Sequence, residues 1–150
     1  MDKAILIAAG LTTALSAGLL FGFEVAVNRG LAALSDREYV RAMQSINRTI
    51  INPAFMLTFM GPLVLLPLAA WLVADARSIL IGASLLYTIG VMGVTSAGNV
   101  PLNDKLSRVN ADESASTARQ QFELPWNRLH HVRTFCAAVV VLLVFVAAMA

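Results

Sequence analysis

The chain has 150 residues, 58% of them hydrophobic and 13% charged, with a formal net charge of +2 and a mean hydropathy of +0.73. An average soluble domain is about 45–50% apolar and about 25% charged, so disorder, a collagen-like chain and an ordinary water-covered globule are excluded, and one membrane domain over residues 1–150 is predicted. The 11 lysines and arginines are scattered between apolar runs with no basic stripe, which argues against a nucleic-acid partner.

Four apolar runs are long enough to span a hydrocarbon core, which takes about 20 helical residues. The first runs from Ala4 to Val27, broken only by Glu24. Its Ala14-Leu15-Ser16-Ala17 would suit signal cleavage, but the run exceeds a signal h-region and Asp2 cancels Lys3, so a retained span is expected. Gly18 and Gly22 in this run form a GxxxG pair. Next, Leu34–Thr49 opens on Ser35 with Glu38 three residues later, a capping-box pattern. Tyr39, Met43 and Ile46 then fall on one helical face opposite Arg37, Arg41 and Arg48, which predicts a short amphipathic helix at the membrane surface.

The second span is expected over Ile50–Ala74, followed by a tight Asp75-Ala76-Arg77 turn and a third span over Ser78–Val100. Gly82, Gly90 and Gly98 recur in the third at multiples of four, a spacing for close helix contacts inside the bundle, with a homo-oligomer face as the alternative. Leu102–Pro125 is the one long polar segment and reads as partly helical, and the fourth span covers Val132–Ala150 with the only cysteine, Cys136, within it. A single cysteine cannot form an intrachain disulfide and reads as a small buried residue. The predicted fold is therefore all-α: a four-helix membrane bundle with an interfacial helix between spans 1 and 2. Nine cations lie in or beside the two longer connections, and Lys3 and Arg77 lie on the other side. That bias predicts cytoplasmic connections and both termini outside.

The polar residues gather at the cytoplasmic ends of the spans. Glu24 and Asn28 share a face of the first, Asn47, Arg48 and Asn52 precede the second, Asn99-Val100-Pro101-Leu102-Asn103-Asp104 ends the third, and Trp126, Asn127, His130, His131, Arg133 and Thr134 begin the fourth. Such a gathering beside the bilayer is a candidate site. Taken singly, Pro101 could end its helix, Trp126 could anchor at the interface, and the arginines could touch headgroups. Adjacent helical residues diverge by about 100°, so only one of His130 and His131 need face the bundle. Two histidines with Glu24 or Asp104 could compose a metal triad on paper, but neighbouring histidines chelate poorly, and no metal is expected. No CxxC, phosphate loop, GxSxG or dinucleotide fingerprint occurs.

The run Met43-Gln44-Ser45-Ile46-Asn47-Arg48 with Asn52-Pro53, the segment Asn99–Asp104, then Trp126 and His131-Val132-Arg133-Thr134 resemble, in order and over nearly the whole chain, the anthrone oxygenase (DUF1772) family of small integral membrane proteins. The chain departs from that pattern at Leu129 and His130, where Trp and Asn are common, and at Glu24 and Asn28-Arg29, where small or apolar residues or Pro are usual. The resemblance implies O2-dependent oxidation of a hydrophobic polycyclic or phenolic substrate, with no organic cofactor and O2 as co-substrate. On that reading His131 supplies the base, Arg133, Asn103 and Asn47 stabilise the developing oxyanion, and Glu24, Asn99, Asp104, Trp126 and His130 line the substrate. The competing readings are a non-catalytic membrane subunit or scaffold, and a small-molecule transporter. Transport fits less well because the polar residues crowd one interface rather than the midplane.

Overall fold

The computed structural model describes residues 2–150 and contains α1 (Asp2–Gly22), α2 (Asn28–Ala32), α3 (Asp36–Thr49), α4 (Pro53–Leu72), α5 (Arg77–Leu86), α6 (Val100–Ser107) and α7 (Ala111–Met149). Wide π-helical turns over Phe23–Val27, and over Tyr87–Gly93 and Thr95–Asn99, join α1 to α2 and α5 to α6 without a break. Four helices are thus long and apolar enough to cross a membrane: Lys3–Ala32, Pro53–Leu72, Arg77–Ser107 and Ala111–Met149. The protein is an all-α membrane bundle. The expected interfacial helix between spans 1 and 2 is α3.

Each span packs on two neighbours, α1 on α4 and α7 and α5 on α4 and α7, which closes a four-membered ring. Its core includes Phe59, Leu66, Leu80, Tyr87, Val91 and Val140. The Tyr87 hydroxyl donates its one hydrogen to the Phe59 carbonyl at 2.8 Å, so the Ser16 hydroxyl, 3.0 Å away, must donate to it. One phenol thus ties the first three spans together where no water could satisfy it.

Three spans outrun their apolar sequences. The third does not stop at Pro101, because the wide turns before it have already shifted the ladder: Val100 N–H bonds the Thr95 carbonyl five residues back. The missing proline N–H therefore costs little there. The fourth runs over 39 residues with a kink at Ser114 (φ −135°, ψ 22°); the helix beyond the kink is about 52 Å long at 1.5 Å per residue, well over the hydrocarbon thickness of about 30 Å. Its N-terminal half stands outside the apolar bundle and builds a second core from Leu31, Tyr39, Val40, Met43, Leu106, Phe122 and Trp126. The Tyr39–Met43 face of α3, expected at the membrane surface, is covered there by protein.

Candidate site between the two cores

The polar residues lie where the membrane core meets this outer cap. Along α7, Phe122, Trp126, His130 and Thr134 recur every four residues and are all buried, so they form one inward stripe. Phe122 stacks on Trp126 with ring centroids 5.9 Å apart, and Trp126 stacks on His130 at 4.8 Å and 11°. Phe23, in the wide turn of the first span, meets both Trp126 and His130 at 5.5 Å. Trp126 Nε1 donates to Asn103 Oδ1 at 2.8 Å, and Asn99 Nδ2 donates to the Trp126 carbonyl at 3.2 Å. The two asparagines of the third span thereby grip the fourth.

His130 is fully buried. Its Nε2 lies 3.1 Å from the Leu20 carbonyl, which can only accept, while its Nδ1 faces Nε and Nη2 of Arg133 at 3.1 and 2.9 Å, which can only donate. These partners select the neutral tautomer with the proton on Nε2 and occupy both nitrogens. Arg133 also donates from Nη1 to Thr95 Oγ1 at 3.2 Å and lies 5.3 Å from the Trp126 ring centre. Among the described residues no carboxylate comes within ion-pair distance of Arg133. The guanidinium is held by an imidazole, a hydroxyl and an aromatic face, with its charge uncompensated.

His131 is turned the other way. Its side chain is 74% exposed, and its Nδ1 lies 3.3 Å from Glu24 Oε1. A carboxylate accepts, so Nδ1 carries the proton, and in the neutral ring the Nε2 lone pair is free. Glu24 is only 30% exposed, and its second oxygen stands 3.6 Å from His130 Nε2. That gap is longer than a hydrogen bond, so the carboxylate is tied to His131 and only neighbours His130.

Asn99, Asn103, Trp126, His130 and Arg133 are thus linked in one network, and Thr95 and Phe23 belong to it although the sequence did not single them out, while Glu24 and His131 form a separate hydrogen-bonded pair beside it. Asn47 and Asp104 are not joined to it by any hydrogen bond. Asp104 is exposed, and Asn47 Nδ2 is buried without a partner. Glu24 Oε2, Asn99 Oδ1 and Asn127 Oδ1 are likewise buried and unpaired. A buried polar atom left so costs about 1–3 kcal/mol unless something else meets it, so three acceptors and one donor are free for a small polar group. Among the described residues no group of three His, Cys, Asp or Glu side chains is placed to hold a metal ion.

Cavities of about 250 and 400 Å³ lie elsewhere, one between α6 and the start of α7 and one between α4 and α5. Neither is lined by Glu24, His131 or Arg133. At the site itself His131 is exposed, with Phe135 exposed one turn along the same helical face and Phe21 one turn from Glu24.

No curated protein and no solved structure matches the chain. A family model described as anthrone oxygenase matches residues 55–143, more than half of the sequence. The matched stretch carries Thr95, Asn99, Asn103, Trp126, His130, His131 and Arg133, while Glu24 and Asn47 lie ahead of it. With four apolar helices around this polar layer, the chain belongs to the anthrone oxygenase family.

Proposed function

We propose that the protein is a membrane oxygenase that uses O2 to oxidise a hydrophobic polycyclic or phenolic substrate carrying an acidic C–H, without an organic cofactor. The observation that carries this reading is the Glu24–His131 pair: a carboxylate holds one nitrogen of an imidazole that is otherwise exposed. A general base needs that lone pair and a pKa near working pH. His130 has no lone pair to offer, because Arg133 occupies it.

In the proposed reaction, His131 Nε2 takes a proton from a CH2 flanked by aromatic rings, leaving a delocalised carbanion with negative charge on the conjugated oxygen. The carbanion gives one electron to O2, and the resulting radical and superoxide combine into a peroxide anion, which takes a proton. Loss of the second C–H proton with cleavage of the O–O bond then gives the ketone and water, so that CH2 and O2 become C=O and H2O. Arg133 supplies the charge that opposes the oxyanion, using the guanidinium hydrogens not committed to His130 and Thr95. Asn103 keeps its amide hydrogens free while Trp126 occupies its oxygen, and Asn47 offers an unpaired amide; both serve as further donors in this reading. Asn99 and Asp104 border the substrate from the third span. The nine-to-two cation bias supports a cytoplasmic position for this layer with both termini outside.

The test is oxygen consumption by the purified protein with a panel of anthrones and hydroquinones. His131→Ala is expected to lower turnover by about 10²–10⁴-fold with the helical content unchanged, since the side chain is exposed. Activity equal to wild type in that variant would remove the base. No oxygen uptake with any of the panel would favour the scaffold reading.

A further inference from the structure

At the far end of the bundle from His131, the hairpin between the second and third spans holds the 400 Å³ cavity, walled by Pro67 and Trp71 of α4 and by Arg77, Ile81, Ser84 and Leu85 of α5. Pro67 and Trp71 are one turn apart on α4, and the α5 residues share one face, so the cavity is a groove along two helices. From Arg77 to Leu85 it descends about 12 Å at 1.5 Å per residue. Trp71, Ile81 and Leu85 are exposed, so in a membrane the groove opens to lipid.

Arg77 sits at its upper end. Nε donates to the Ala70 carbonyl at 3.2 Å and Nη2 to the Trp71 carbonyl at 3.3 Å, which closes the last turn of α4. These bonds fix the guanidinium plane and leave Nη1 with no protein acceptor. Among the described residues no carboxylate, neighbouring Asp75 included, pairs with it. A fixed cation without a counter-ion, at the top of an apolar groove beside an exposed tryptophan, fits a ligand with one anionic head and a linear hydrocarbon tail. Guanidinium forks suit phosphate oxygens, and tryptophan belongs at headgroup level.

We infer that this groove is a binding site for a glycerophospholipid, its phosphate on Arg77 and one acyl chain along Ile81, Ser84 and Leu85. The inference is independent of the oxygenase reading, which concerns the opposite end of the molecule.

The experiment is native mass spectrometry of the full chain in nonionic detergent, titrated with dioleoylphosphatidylglycerol, dioleoylglycerol or glycerol phosphate. One phosphatidylglycerol is expected to be retained, and neither of the other probes. Arg77→Gln is expected to weaken retention about tenfold, the loss of a charge-assisted contact. Because Arg77 also closes α4, Ile81→Trp provides a second variant that fills the groove and leaves the cation in place; it is expected to weaken retention as much. Arg29→Gln, which removes a cation from the other face, is expected to change nothing. Equal retention of phosphatidylglycerol by wild type and Ile81→Trp would overturn the site, as would equal binding of dioleoylglycerol. Competition by glycerol phosphate at the same concentration would overturn the lipid as occupant.

Discussion

Arg133 and His130 stand three residues apart, close enough on a helix for their side chains to meet, and the guanidinium satisfies two partners at once: His130 Nδ1 and Thr95 Oγ1. A lysine ammonium is a point charge on a flexible stem and cannot fork across both while lying over the Trp126 ring. Arg133→Lys is therefore expected to release the His130 tautomer and, on the oxygenase reading, to lower turnover more than tenfold. The ¹⁵N shifts of the His130 imidazole read the first effect without any substrate: one protonated and one bare nitrogen in the wild type, averaged nitrogens in the variant. An unchanged tautomer would show that Leu20 alone holds the ring. The buried stripe of Phe122, Trp126, His130 and Thr134 separates the two histidines, placing His130 in the core and His131 off it, where the sequence left open which of the two faces the bundle. What the sequence could not supply is Thr95. Its part depends on the rotation of the third span, which the wide turns on either side of Val94 set.

The apolar stripe of α3 and its first-turn acids were legible as a helix, and so was its start. Glu38 Oε2 accepts from the Ser35 hydroxyl at 2.6 Å and from the Ser35 backbone N–H at 3.0 Å, and these two bonds, the hydroxyl's first, hold its carboxyl below the ordinary glutamate value of 4.5. A carboxyl depressed in the folded state stabilises it fully above the unfolded value, and that contribution is lost as pH falls through the folded value. Hydrogen exchange over residues 36–39 is accordingly expected to accelerate below pH 4.5, with no such step in Glu38→Gln. The partner of the stripe was not legible, because an amphipathic face fits lipid or protein equally well. Arg119 decides the matter locally: Nη1 donates to the Leu34 carbonyl at 2.7 Å and to Asp36 Oδ1 at 3.1 Å, Nη2 donates to the Ala32 carbonyl at 3.0 Å, and Nε donates to Glu123 at 2.7 Å. The same group sits 4.6 Å over the Tyr39 ring. Arg119 thus closes the end of the first span and docks α3 on α7. Arg119→Ala is expected to cost at least about 1.5–3 kcal/mol, the range for a hydrogen bond to a charged group, and to expose residues 33–38 to limited proteolysis. Asp112→Ala removes the exposed pairs with Arg37 and Arg41, each worth about 0–1 kcal/mol, and is expected to leave that linker protected.

At the scale of the whole molecule, the number of spans, their order and the level of the polar layer followed from hydropathy alone, because lipid allows no other backbone solution. The roles of the glycines did not, since a helix face looks the same in sequence whether it meets a neighbouring span or the bilayer. The structure divides them. A Cβ on Gly90 would stand 2.6 Å from Cys136 Sγ and 2.9 Å from its Cβ, so the third and fourth spans touch there nearly backbone to backbone. At Gly98 the near atom is Leu129 Cδ1 at 2.7 Å, the tip of a side chain that can turn aside, while Gly18, Gly22 and Gly82 face open space. Gly90→Ala should then force the two spans apart, at about 1–3 kcal/mol for overpacking, and Gly98→Ala should cost less. Gly18→Ala and Gly22→Ala should leave the unfolding midpoint in mixed micelles within experimental error of wild type, because nothing in the protomer contacts them. A fifth variant, Gly18→Leu, separates packing inside the bundle from a face between copies of the chain. If the GxxxG face of the first span joined copies of the chain, Gly18→Leu would reduce crosslinking between copies in the membrane and leave the midpoint of the isolated protomer unmoved; unchanged crosslinking would leave the first span's pair as lipid-facing.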